Sequence, residues 1–212
     1  MKFSTLVSKV AFILADEVGV VYDAETIRMW LTEAESVIVS LATSANPKTI
    51  TVAAVQGTRQ SIPETGVRLL AVNTVGGRAV RMVERGAKDD ADPYWRNETA
   101  GSVASEYILD ARMPREFDVS PPVLAGTPIT LSFDDTPEEY DFDETPDPDI
   151  TIQSIYSAAM VDYAAYRCLS RADVNTPEWT KAAQHYKTFM EKIGGKTQLD
   201  VAQSPKQGGF LR

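Results

Sequence analysis

Hydrophobic positions recur at three- and four-residue spacing near both ends of the chain and at two-residue spacing between them. Phe3, Leu6, Val7, Val10, Ile13 and Leu14 fall on one face of a helix over residues 3–18, with Gly19 as its stop. A second helix starts at Asp23 as N-cap and carries Ile27, Trp30, Leu31, Ala34, Val37, Ile38 and Leu41 on its apolar stripe. Pro47, at the end of "TSANPK", forbids its continuation.

The period then shortens. "TITVAAV" (49–55) and "TRQSIP" (58–63) meet at Gly57 and predict a hairpin. "RLLAVNTVGGRAVRMVE" (68–84) predicts a second, because Gly76 and Gly77 supply the positive φ of a tight turn. "EYILD" and "REFDVSP" flank a turn at 111–114, and "TPITLSF" (127–133) gives another strand. Between them "ERGAKDDADPYWRNE" predicts a short helix or loop closed by Pro93, whose Tyr94 and Trp95 are either a partner contact or a lid over the sheet.

Helical spacing returns after residue 150. Ile152, Ile155, Tyr156, Ala159, Met160, Tyr163 and Tyr166 form one stripe; Trp179, Ala182, Ala183, Tyr186, Phe189, Met190 and Ile193 form another. Asn175 or Thr176 caps the last helix, Pro177 opens its first turn, and Gly194 and Gly195 end it. The predicted fold is therefore α+β: terminal helix pairs packing as an α-helical bundle, an antiparallel β insertion and an extended C-terminal arm. Its segments are 1–46 (N-terminal helices), 47–133 (β-rich insertion), 134–149 (acidic loop), 150–194 (C-terminal helices) and 195–212 (arm). From Gly194 to Arg212 the chain would span about 60 Å if extended at about 3.3 Å per residue. Gln207, Phe210, Leu211 and Arg212 are the candidate anchor by which such an arm grips a neighbour.

Charge changes this picture in one place. The 212 residues hold 30 Asp and Glu against 21 Lys and Arg, a formal net charge of −9. Nine acids and no base lie between Asp134 and Asp149, so this segment accounts for the imbalance and the remainder is neutral. Asp134, Asp135, Glu138, Glu139, Asp141, Asp143 and Glu144 are its candidate functional residues, facing DNA, a partner or solvent. Lys9, Asp16 and Glu17 interrupt the N-terminal apolar run, which reads as an amphipathic helix rather than a signal peptide, and no stretch has the roughly 18 apolar residues of a membrane span; the chain reads as soluble.

The composition excludes most chemistry. One cysteine, Cys168, and one histidine, His185, leave no multi-cysteine zinc site, and Cys168 reads as a buried inert thiol. "DFDETPDPD" alternates acids but lacks the glycine of a calcium loop. No P-loop, GxGxxG, HExxH or GxSxG occurs, no enzyme is predicted, and no cofactor or metal is expected. An acidic balance opposes DNA reading, and Arg78, Arg81 and Arg85 read as solvated strand positions. Besides an assembly protein, the pattern leaves open a β-rich protein- or carbohydrate-binding module and a calcium-stabilised domain.

The order of segments resembles the head-to-tail adaptor (head completion) proteins of tailed bacteriophages. The likeness is carried by "IRMWLTEAESVIVS" (27–40), "TVAAVQGTRQSIP" (51–63), "VRLLAVNTVGGRAVRMVER" (67–85), "DPYWR" (92–96), "YILDARMPREFDVSPPVLAGTPITLSF" (107–133) and "IYSAAMVDYAAYRCLSRADVNTPEWTKAAQHYKTFMEKIG" (155–194). The acidic expansion after Phe133 exceeds the short connection of the family. The resemblance implies a structural virion protein, assembled in the bacterial host cytoplasm and placed at the head-to-tail interface. There it would form a dodecameric ring under the portal protein, extend the channel for double-stranded DNA without reading sequence, help retain the genome and dock the tail or nozzle. It implies no membrane contact.

Overall fold

A computed structural model describes residues 1–145 and 147–203. The chain divides into two compact units, one of Met1–Ala45 with the chain from Pro137 onward, the other Asn46–Thr136. The fold is α+β, with five helices and two sheets among the described residues.

The first unit is helical. Helix α1 (Phe3–Ile13) buries Phe3, Leu6 and Val10, the three-four spacing of its apolar face. It stops five residues short of the predicted end. The Asp16 carboxylate accepts the backbone N–H groups of Val20, Val21 and Tyr22 at 2.7–2.9 Å, and these bonds hold a turn in competition with the helix. Helix α2 (Ala24–Leu41) begins as expected at Asp23, whose side chain accepts from Thr26 N–H at 2.7 Å. Helix α4 (Ser157–Leu169) packs on α1, α2 and helix α5 (Pro177–Gln203), and its small residues Ala159, Ala164 and Ala165 are buried at these contacts. Ile155, placed on its stripe from the sequence, is exposed, because a 3₁₀ turn at Ser154–Tyr156 precedes the helix and rotates that position outward.

Helix α5 opens at Thr176, whose Oγ1 accepts from Trp179 N–H at 3.2 Å. It does not end at Gly194 and Gly195 but continues to Gln203. Neither glycine has a positive φ, and Lys, Thr, Gln and Leu follow, so the pair weakens the helix without terminating it. A β-carbon on either would meet nothing within 4 Å. The double variant Gly194→Ala, Gly195→Ala is therefore expected to strengthen the distal helix by about 1–2 kcal/mol, read as slower amide exchange over residues 191–203.

The second unit is a sandwich of two four-stranded sheets. The strands are β1 (Pro47–Ala53), β2 (Gly57–Ser61), β3 (Gly66–Val75), β4 (Arg78–Ala79), β5 (Arg81–Met82), β6 (Glu106–Leu109), β7 (Glu116–Val123) and β8 (Pro128–Asp135). One sheet runs β1-β8-β3-β4, the other β2-β7-β6-β5. Leu69, Val72 and Val75 of β3 and Ile129, Leu131 and Phe133 of β8 share one core with Phe117, Val119 and Val123 of β7 and Tyr107 of β6. The predicted turn at Gly76 and Gly77 forms, at φ +60° and +78°, but its second arm pairs with β3 only over Arg78–Ala79 before Arg81–Met82 joins the other sheet parallel to β6; β6 and β7 pair antiparallel as predicted. At Gly76 a β-carbon would stand 1.9 Å from the Ser102 carbonyl oxygen, so that turn accepts glycine alone.

The first predicted hairpin does not form. β1 pairs with β8 and β2 with β7, so the chain changes sheets between residues 53 and 57. Gln60 holds this corner: its Oε1 accepts Val55 N–H at 2.9 Å and its Nε2 donates to Val55 O at 2.7 Å. Its amide is buried, and bonds to the Val55 and Gly57 backbone meet its polar atoms. A short helix α3 (Arg85–Ala91) and a 3₁₀ turn at Trp95–Asn97 complete the unit.

Candidate functional site: the anchored acidic segment

The acids of 134–149 separate into two groups. Strand β8 runs two residues further than predicted, so Asp134 and Asp135 belong to the sandwich and not to the loop. Asp134 is 0 % exposed, lies 3.6 Å from Arg68 Nε and accepts Asn46 N–H at 3.2 Å. Asp135 stands 2.7 Å from Lys48 Nζ; burial raises its pKa, but the bonds from Lys48 and Thr65 outweigh that and hold it below the usual range. These two carboxylates are internal counter-ions of the β unit. The register places Arg68 and Pro47 on either side of Asp134, which brings the basic residues of β1 and β3 to the end of β8.

The remaining acids belong to the helical unit. Glu138, Glu139, Asp141, Asp143 and Glu144 are exposed. Asp141 Oδ1 accepts the N–H groups of Asp143 and Glu144 at 3.0 and 3.1 Å, which shapes this stretch into a tight turn. Tyr140 and Phe142, interleaved with them, point into the helices instead. Their rings lie 4.7 and 5.4 Å from that of Phe3, and the Arg28 guanidinium stands 5.2 Å from the Phe142 centroid.

Glu35 of α2 fixes the segment from beneath. Its carboxylate is buried, accepts the Tyr140 hydroxyl at 2.7 Å and accepts Thr151 N–H at 2.8 Å. Tyr140 and Thr151 hydroxyls meet at 2.6 Å, which closes the ring of bonds. Burial pushes the Glu35 carboxyl above its ordinary range, against the bonds from Tyr140, Ile152 and Thr151 that favour the charge. The Tyr140 phenol is pushed up in turn by burial, with the Glu35 carboxylate adding to the rise.

Two carboxylates tie the far end of the segment to the start of α1. Asp147 accepts Ser4 N–H at 2.8 Å and Ser4 Oγ–H at 2.9 Å; Asp149 pairs with Lys2 at 3.0 Å and the terminal ammonium at 3.1 Å. Both have lowered pKa values, Asp147 chiefly through the Ser4 N–H and Asp149 through the bonds from Lys2 and the terminus. A lowered folded pKa gives stability that is present above the ordinary 3.8 and is lost as pH falls through the folded value. Acidification below about pH 3.8 is thus expected to free this end of the segment first, seen as faster exchange at Ser4 N–H before the helices melt.

Between this segment and the first turns of α2 lies an open hollow of about 1030 Å³, with Asp23, Glu25, Glu139, Asp141 and Asp143 around Met29 and Phe142. Among the described residues no three His, Cys, Asp or Glu side chains stand together in a group able to hold a metal ion. Cys168 is buried, and burial raises its thiol to about 11. His185 Nδ1 lies 2.9 Å from Asp162, which Lys192 also engages.

Of the paired aromatics, Trp95 is 0 % exposed, donates from Nε1 to Asp89 at 2.8 Å and carries the Arg96 guanidinium 4.1 Å above its ring. It is the lid of the two readings, while Tyr94 is 74 % exposed. Gln207, Phe210, Leu211 and Arg212 lie outside the described residues. Sequence reasoning missed Glu35, Phe3 and Arg28. The available signal was a carboxylate set between Ala34 and Ile38 on the buried face of α2, which demands donors from elsewhere.

The sequence pattern of the SU10 adaptor protein family matches residues 1–208, and the chain belongs to that family, a family of phage head-to-tail adaptors. No curated protein matches the chain. Membership makes it a phage adaptor, a structural protein of the virion, and implies association with portal and tail. Among the described residues no helix is long and apolar enough to cross a membrane.

Proposed function

We propose that the protein forms a closed, dodecameric ring beneath the portal, extends the DNA channel, helps retain the packaged genome and docks the tail or nozzle. The family match over residues 1–208 carries this reading. Exposed apolar side chains on the helical unit support it: Trp179, Tyr186 and Met190 line one side of α5, and Val18, Val20 and Val21 stand out from the turn that Asp16 holds. Such patches on a structural protein mark surfaces that a partner covers.

In this reading Gln207, Phe210, Leu211 and Arg212 contact the portal, and Tyr94 contacts the tail or nozzle. The five exposed acids, Glu138, Glu139, Asp141, Asp143 and Glu144, face the channel. Repeated around an axis, they repel phosphate and keep the duplex centred and free to slide. The Debye length is about 8 Å at physiological salt, so the segment acts only on what passes close to it. A fixed anchorage suits that task better than a free loop, which would fold away from the axis.

The test compares portal co-elution of the full chain with that of a chain ending at Gln203, followed by the fivefold Glu→Gln and Asp→Asn variant of the exposed acids in assembled particles. Full-length binding that fails without 204–212, together with slower DNA exit in the neutralised variant, is expected. Loss of tail attachment at unchanged DNA exit would assign the acids to a basic surface on the tail instead. No co-elution of the full chain at any salt would overturn the proposal.

A further inference from the structure

Among the described residues, β1 is the one long, regular strand at the end of a sheet. Its seven residues pair with β8 in unbroken register, and no strand lies on its other side. The other strands at sheet ends offer less: β4 and β5 have two residues each, and β2 is broken by a bulge between Gly57 and Arg59. Strand edges are commonly blunted by charge, proline or bulges, yet the stretch Thr49, Ile50, Thr51, Val52, Ala53 contains none of these.

The hydrogen bonds at the two ends of β1 fix which way its backbone groups point. Asn46 O accepts Asp135 N–H at 2.9 Å, and Ala54 N–H donates to Thr127 O at 2.8 Å, so the even-numbered residues turn toward β8. In a strand the N–H and C=O of one residue point the same way, and successive residues alternate. Thr49, Thr51 and Ala53 therefore aim their N–H and C=O groups away from β8, where no described strand meets them. Their side chains are exposed as well. The row stops at each end for a chemical reason. Pro47 has no N–H to give, and both backbone groups of Val55 are taken by Gln60, at 2.9 and 2.7 Å.

We infer that the free protein pairs β1 with β1 of a second copy, antiparallel about a two-fold axis at Thr51. An extended strand is what satisfies a row of backbone groups at two-residue spacing, and β1 presents the same row to itself. Thr51 then faces Thr51 of the second copy, and Thr49 and Ala53 face its Ala53 and Thr49, which uses every outward group of the row. A shift by two residues in one direction would set Ala53 against Pro47, and in the other Thr49 against Val55. Each leaves groups unmet, so the register is specified. On the inner side Ile50 faces Val52 of the second copy, a β-branched pair that covers two residues now only partly buried against the core. Lys48 lies opposite Ala54 of the second copy, so no charge meets a like charge. A cyclic ring has no two-fold axis between neighbours, so this pairing belongs to the chain before assembly and does not rest on the ring.

Sedimentation of the full chain over a wide concentration range, together with amide exchange, tests this. The weight-average mass is expected to rise with concentration toward that of two chains. Over the same range exchange at Thr49, Thr51 and Ala53 N–H is expected to slow, while Ile50 and Val52, which face β8, keep the same protection throughout. Thr51→Pro removes the central outward N–H and leaves the bonds to β8 in place, since proline is tolerated on a strand edge. It is expected to weaken dimerisation about tenfold, the loss of two hydrogen bonds at the axis. Thr51→Val loses the same hydroxyl contact with Thr130 but retains the N–H, and is expected to dimerise as the unmutated chain does. A chain that stays monomeric at every concentration would overturn the inference. So would a dimer indifferent to Thr51→Pro, or one that forms without slowing these three amides, since either would place the contact on another surface. The exchange pattern is read on the unmutated chain, so it decides the matter even if Thr51→Pro fails to fold.

Discussion

Glu35→Ala is expected to destabilise the helical unit by about 2–3 kcal/mol and to release the acidic segment from α2. The carboxylate accepts a hydroxyl and a backbone N–H in a buried setting, and bonds to a charged acceptor are the strong kind. Part of that gain is offset by the burial that raises its pKa. Glu35→Gln is therefore expected to cost less, since the amide oxygen keeps the Thr151 bond and no charge is desolvated. The pH dependence separates the two effects. A carboxyl whose folded pKa is raised retains a proton that the unfolded chain has released, so its contribution weakens stability as pH rises from 4.5 through the folded value. Glu35→Gln removes that slope and leaves the opposite one, below 3.8, that comes from Asp147 and Asp149. Hydrogen exchange at Thr151 N–H reads the release directly; protection unchanged in Glu35→Ala would show that the aromatic contacts alone hold the segment.

Trp95→Ala is expected to cost the β unit about 3–5 kcal/mol, the range for a wholly buried large aromatic. The ring has no exposed surface, its N–H loses Asp89, and the Arg96 guanidinium loses the face it covers. Tyr94→Ala, one residue earlier and mostly exposed, is expected to shift stability by less than about 0.5 kcal/mol and to weaken partner binding. Chemical denaturation of the two variants side by side makes the contrast. A Trp95→Ala protein of unchanged stability would mean that the side chain is a surface contact after all.

The elements most legible in the sequence were those whose signal is local. The Asp23 cap, the Gly76–Gly77 turn and the Thr176–Pro177 start of α5 each depend on a few neighbouring residues, and each forms. What failed depended on distant partners. Gly57 suggested a hairpin between adjacent strands, but the partners of β1 and β2 are β8 and β7, some 60 to 80 residues on. Gly194 and Gly195 suggested a stop, yet neither takes the left-handed conformation that ends a helix.

The same division holds for the candidate site. Its charge was plain from composition, and the five exposed acids are where a loop would put them. Its anchorage was not, because Glu35 and Tyr140 are 105 residues apart and nothing in either neighbourhood names the other. Asp134 and Asp135 looked like loop acids because the strand was ended at the last apolar residue, Phe133. Lys48 and Arg68, brought alongside by pairing, are what let two carboxylates finish it.

The most direct test of the adaptor account is electron microscopy of the full-length protein mixed with purified phage portal rings. The account predicts a second ring coaxial with the portal, density for residues 204–212 on the portal surface, and residues 138–144 turned toward the channel. A protein that stays monomeric beside intact portal rings would contradict it.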